Sequence, residues 1–114
     1  MSKRSLRTSL LDMVEAAERA IQYCDGMHYD AFLRDHKTQD AVTRNIEILG
    51  EAVKNIGTDF RSAHGNIPWK NITGMRDKLI HDYFGANFDV IWNVVNDELP
   101  NLLAKLKELI PEPE

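Results

Sequence analysis

Residues 37–56 read KTQDAVTRNIEILGEAVKNI, and the spacing of their apolar side chains decides the fold class. Val42, Ile46, Leu49, Val53 and Ile56 recur at intervals of 4, 3, 4 and 3, the repeat that lines one face of an α-helix. Gly57 closes the stripe, as a glycine does beyond a helix end. No alternating stretch of four or more residues argues for a strand.

The same period extends in both directions. Leu10, Val14, Ala17, Ile21 and Cys24 again follow 4, 3, 4, 3. Ser9 with Asp12 resembles a start signal for that helix, and Asp25-Gly26 a stop. Trp69, Ile72, Met75 and Leu79 form a third stripe, with Pro68 suited to a first helical turn. Phe88, Ile91/Trp92 and Val95 give a short stripe, and Leu99, Leu102/Leu103, Leu106 and Ile110 another. Of the connectors, GMHYDAFLRDHK (26–37) has room for one helical turn around Phe32 and Leu33. GTDFRSAHGNIP (57–68) is the longest segment that reads as irregular. There is no internal repeat and no low-complexity tract. About five helices joined by short turns, three of them long enough to span a bundle, predict an all-α helical bundle. The 4-3 spacing suits near-antiparallel packing at about 20°. It suits equally a helix paired with its copy in a dimer, and the spacing does not separate the two.

The chain has 114 residues, a size that makes residues 1–114 a single domain. A basic arm, residues 1–7 with Lys3, Arg4 and Arg7, begins it, and an acidic tail, PEPE (111–114), ends it. Folding at this length buries roughly two-thirds of the surface of the unfolded chain. The formal net charge of −4 excludes a protein that is basic overall, so binding a polyanion requires a local patch. One cysteine, Cys24, excludes an internal disulfide and a multi-cysteine zinc site. Its place in an apolar stripe reads as a small buried hydrophobe. No apolar run approaches the ~18 residues of a membrane span. The apolar stretch after the basic start is too short for a secretory signal. The expected location is the cytoplasm.

Residues 74–85, GMRDKLIHDYFG, put Arg76, His81 and Tyr83 within eight residues. Arginine is permanently charged and offers a planar fork of donors that matches phosphate. Histidine exchanges a proton near neutral pH. Together they are a minimal set for cleaving an RNA phosphodiester without a metal. The imidazole serves the 2′-hydroxyl or the leaving oxygen, and the guanidinium stabilises the extra negative charge on phosphorus. In a regular helix, residues five apart point about 140° from each other, so Arg76 and His81 do not face one another within one straight helix. Either the backbone bends near Gly74 or Gly85, or a second subunit completes the site. The plainer reading makes Arg76 and His81 solvated surface residues and Tyr83 a half-buried packing residue in line with Ile72 and Leu79.

The Arg-x4-His-x-Tyr pattern of Arg76, His81 and Tyr83 lies inside IPWKNITGMRDKLIHDYFG (67–85), preceded by the 37–56 helix. This combination resembles the HepT family of the HEPN superfamily, the toxin half of HepT/MNT toxin–antitoxin modules. The likeness runs from about Leu10 to Leu106. It implies a HEPN-type all-α bundle that forms a homodimer, with the motifs of two subunits meeting in an interfacial cleft. It implies a metal-independent endoribonuclease toxin of a type VII system, needing no cofactor and leaving a 2′,3′-cyclic phosphate. Arg76 and His81 match the family's catalytic pair, and Asp77 falls where a polar residue supports it, orienting His81 or Arg76. Tyr83 matches the tyrosine to which the partner, a minimal nucleotidyltransferase antitoxin, attaches AMP. The charge and bulk of that AMP would occupy the place of an RNA phosphate. The alternative is a non-catalytic HEPN module whose cleft binds a nucleotide or the partner; such a pocket needs the arginine but not a titratable histidine.

Other residues have simpler readings. His28, His36 and His64 sit in connectors and read as solvent-facing rather than as metal ligands, although Asp35 adjoins His36 and Asp30 follows His28. The basic arm reads as a disordered terminus or as a contact to RNA or an acidic partner. Arg44, Glu47 and Glu51 share one helix face, either lining a cleft or pairing as Arg44–Glu47. Trp69 and Trp92 read as core or interface aromatics.

Overall fold

The computed structural model describes residues 5–81 and 87–110. Lys3 and Arg4 of the basic arm, Tyr83, Gly85 and the 111–114 tail lie outside the described residues. The described residues form helices α1 (Leu6–Cys24), α2 (Tyr29–Arg34), α3 (His36–Val53), α4 (Thr58–Ala63), α5 (Trp69–His81), α6 (Phe88–Asn93) and α7 (Leu99–Leu109), with a π-helical segment, Val94–Glu98, between the last two. No strand occurs among them, as the periodicity predicts. α3 lies at the centre and packs against α1 on one side and α5 on the other, while α7 packs against α1.

The stripes read from the sequence are the core. Leu10, Val42, Val53 and Leu106 are fully buried, and Ile46, Leu49, Ile91, Val95 and Leu99 nearly so. Met13, outside the 4-3 stripe of α1, is fully buried as well. Phe32 of α2 is buried against Trp92, with ring centroids 5.2 Å apart, and meets Phe88 edge-on at 6.0 Å. These aromatics tie α2 to α6. Cys24 is buried, and that burial pushes its thiol up to about 11.

Local chemistry sets the helix ends. α1 starts four residues before the predicted Ser9. Ser5 is its cap, its Oγ accepting the Thr8 amide at 3.1 Å. Ser9 is completely buried in the first turns. At the other end Asp25 caps the helix, and Gly26 takes φ 76°, the left-handed conformation that favours glycine. Asp35 caps α3 through Oδ1, which accepts the Thr38 amide at 3.0 Å, and Oδ2, which accepts the Thr38 hydroxyl at 2.8 Å. The amide bond in particular holds the Asp35 carboxyl below the usual carboxylate range. One turn on, the buried Gln39 amide donates to the carbonyls of Phe32 and Leu33, both at 3.0 Å, satisfying the open end of α2.

Four expectations are corrected. α3 stops at Val53 rather than running to Gly57; Ile56 is still buried because a tight turn, its amide bonded to the Val53 carbonyl, carries it inward. Gly57 instead caps α4. The segment 57–68, read as irregular, contains α4, docked by α5's first residue: the Trp69 indole donates to the carbonyls of Arg61 and His64 at 3.1 and 3.0 Å. His64 is half-buried rather than solvent-facing, stacked 4.1 Å from Phe60. Finally, the two C-terminal stripes are one unbroken run. Pro100 has no amide hydrogen and clashes with the carbonyl four residues back in an α-helix. The chain widens before it into the π turn, where the Leu99 amide bonds the Val94 carbonyl.

Candidate active site

α5 presents Trp69, Ile72 and Leu79 to the core. Arg76 stands beside that stripe, so its aliphatic stem is drawn toward α3 and its side chain keeps only 20% exposure. It is seated there by Gly50 of α3. A Cβ at Gly50 would overlap the Arg76 Cβ and would lie 3.0 Å from both Arg76 Cγ and the Ile72 carbonyl oxygen. The two helices therefore touch backbone to backbone where the arginine departs. An internal glycine in a helical stripe signals this kind of close approach, but the sequence does not say which residue it admits.

The guanidinium is held at one end. Its Nη1 donates to Asp77 Oδ1 at 3.0 Å, while its Nε is buried and has no partner among the described residues. A buried donor without an acceptor is costly, and here it sits on the residue whose fork matches a phosphate. Asp77 is half-exposed, and the same Oδ1 lies 3.7 Å from Nζ of Lys54, at the end of α3. The Arg76 hydrogen bond holds the Asp77 carboxyl below the usual carboxylate range, with the charges of Lys54, Arg76 and His81 acting the same way. Asp77 thus bonds Arg76 and not His81, while remaining within the electrostatic reach of the imidazole.

His81 is the exposed last residue of α5. The helix is regular from Arg76 to His81, so no bend turns the two side chains toward each other. Gly74 lies inside the helix with open space where a Cβ would stand. Tyr83, expected to complete the motif, lies outside the described residues.

Of the residues read as ambiguous, Arg44 pairs with Glu47 at 3.7 Å, an i,i+3 contact between an exposed arginine and a largely buried glutamate. Among the described residues no three His, Cys, Asp or Glu side chains gather closely enough to hold a metal, and the Asp35 carboxylate beside His36 is engaged as a cap. No helix among them is long and apolar enough to cross a membrane. Lys54 and Gly50 are the residues that sequence reasoning passed over. A lysine ending a helix reads as a partner for the helix dipole, and nothing in α3 announces that it reaches α5.

Residues 13–109 match the family described as Ribonuclease HepT-like. The chain is 45% identical over 107 residues to a Thermococcus cleftensis protein named "Probable ribonuclease HepT", covering 94% of this chain and 97% of that one. It is 42% identical over 114 residues to "Putative RNase MJ0127" of Methanocaldococcus jannaschii, covering 100% and 94%. It is 41% identical over 104 residues to "Putative RNase TTE0752" of Caldanaerobacter subterraneus subsp. tengcongensis, covering 91% and 93%. No solved structure matches the chain.

Proposed function

Because the chain belongs to the HepT-like ribonuclease family, we propose that it is an endoribonuclease that cuts RNA with its own side chains. The observation that carries this reading is the buried, unpartnered Nε of Arg76 on a guanidinium otherwise fixed by Asp77. Arg76 binds the scissile phosphate and stabilises the charge that builds on it. His81 transfers the proton between the 2′-hydroxyl and the leaving 5′-oxygen. The 2′-oxygen attacks phosphorus, the P–O5′ bond breaks, and the products are a 2′,3′-cyclic phosphate and a 5′-hydroxyl. Arginine and imidazole chemistry suffices for these steps, and no metal is assigned to them.

A straight α5 leaves Arg76 and His81 on different sides of one helix. A homodimer that brings the His81 of one protomer toward the Arg76 of its partner resolves this, and we assign the site to such a cleft, with residues 1–114 acting as one domain. In the same reading the protein is the toxin of a toxin–antitoxin pair, silenced when a nucleotidyltransferase partner attaches AMP to Tyr83.

Incubation with RNA in EDTA tests the activity. The wild type is expected to yield 2′,3′-cyclic phosphate ends, and His81→Ala to lose about 100-fold or more of the rate, as removal of a general acid–base does. Equal cleavage by both refutes the role of His81. For the regulation, intact mass after ATP and partner should rise by AMP units in the wild type and not in Tyr83→Phe.

A further inference from the structure

We infer that Lys54 binds RNA: with Arg76 it forms a two-cation cradle for a backbone phosphate, and the Asp77 carboxylate fills that cradle when RNA is absent. The inference rests on the ribonuclease reading above and adds a residue to it. Its basis is convergence. Cations from two different helices meet on one anionic oxygen, Asp77 Oδ1, at 3.0 Å from Arg76 and 3.7 Å from Lys54. A place where a carboxylate oxygen sits between a guanidinium and an ammonium is also a place for a phosphate oxygen, the same kind of acceptor with more charge and more oxygens.

The carboxylate fills the cradle poorly. At 3.7 Å the Lys54 contact is longer than a hydrogen bond, and both side chains are about half exposed. Arg76 Nε donates to none of the described residues. A tetrahedral phosphate presents several oxygens and can engage both charged groups at once. The chain carries a net charge of −4, yet from Arg76 to His81 three basic residues, Arg76, Lys78 and His81, outnumber the one acidic residue. Lys54 brings a further cation to that end of the α3–α5 pair. The competing explanation, a lysine that merely answers the dipole of α3, predicts an effect on stability and none on RNA.

The experiment measures binding of the full chain to a fluorescein-labelled single-stranded oligoribonucleotide with 2′-O-methyl riboses, which lack the attacking hydroxyl, across a salt series. Lys54→Ala is expected to bind about fivefold more weakly, and its slope of log K against log salt to be shallower by about 0.7, the value of one phosphate contact to a single strand. Lys54→Arg is expected to restore both. On cleavable RNA, Lys54→Ala should raise KM about fivefold and leave kcat within about twofold. Asp77→Asn, which removes the internal competitor's charge, should bind the oligonucleotide more tightly than wild type. If wild type cleaves and binds RNA while Lys54→Ala keeps the wild-type affinity and salt slope, the cradle is refuted and the ribonuclease reading stands. A wild type that neither binds nor cleaves RNA overturns both.

Discussion

Replacing Gly50 with alanine adds one methyl group at the tightest approach of α3 and α5, and the sign of its effect is decided by geometry. On helix propensity alone the change is favourable, since alanine in a helix interior is better than glycine by about 1 kcal/mol. Against this stands the overlap of the new Cβ with Arg76 Cβ, and its approach to 3.0 Å from the Ile72 carbonyl. Neither is the far end of a flexible chain, so α5 itself must move. Restoring ordinary carbon contacts of about 3.5–4.0 Å requires a displacement of roughly 1 Å. Overpacking of this kind costs about 1–3 kcal/mol, which leaves a net loss of up to about 2 kcal/mol after the propensity gain. At about 4–8 °C per kcal/mol, the melting temperature should fall by up to roughly 15 °C. Because the displaced residue is Arg76, a shift of about 1 Å should cost on the order of 100-fold in RNA cleavage. Thermal unfolding followed by circular dichroism at 222 nm, with cleavage assayed well below the transition, measures both. A Gly50→Ala protein that melts higher than wild type and cleaves normally would refute the claim that Gly50 seats the arginine.

Trp69→Phe removes the donor shared by the carbonyls of Arg61 and His64; urea unfolding should show a loss of about 1–3 kcal/mol, and α4 should exchange its amides faster. Asp35, whose carboxyl is held low by the Thr38 amide, contributes stability that is full above its unfolded pKa of about 3.9 and is lost as pH falls through its lower folded value. The gap in melting temperature between wild type and Asp35→Ala should therefore be widest near pH 7 and close below pH 4; a gap that widens in acid contradicts the cap. The buried Cys24 thiol, raised to about 11, should resist a disulfide reagent at pH 8 in the native protein and react at once in urea.

How much of this was legible in the sequence depends on the range of the interaction. Val42 to Ile56 and Leu10 to Cys24 declared their helices because an apolar face repeats many times over. Phe32 and Leu33 sufficed for the single turn of α2. The start of α1 was misplaced because Ser5 and Ser9 offer the same cap chemistry four residues apart. α4 was missed because six residues carry no period and its anchor, the Trp69 indole, comes from another element. The two C-terminal stripes read as separate because the π turn that joins them ahead of Pro100 leaves no compositional mark. At the site, Arg76, Asp77 and His81 were visible as residue types in a motif. Their separation along a straight helix followed from counting, and α5 bears it out. The reach of Lys54 to Asp77, and the burial of Arg76 against Gly50, depend on how α3 and α5 lie together, which no local pattern encodes.

The widened turn at Val94–Glu98 is in effect one residue more than an α-helical turn holds. Excising Asn96, which is exposed, would tighten it to an ordinary turn and leave Ile91, Val95, Leu99, Leu102 and Leu106 at intervals of 4, 3, 3 and 4, still a single oily seam. Adding a residue there has no such reserve to draw on and would swing everything downstream off the seam. This stretch of the chain can shorten far more safely than it can lengthen, although it looks from outside like an uninterrupted rod.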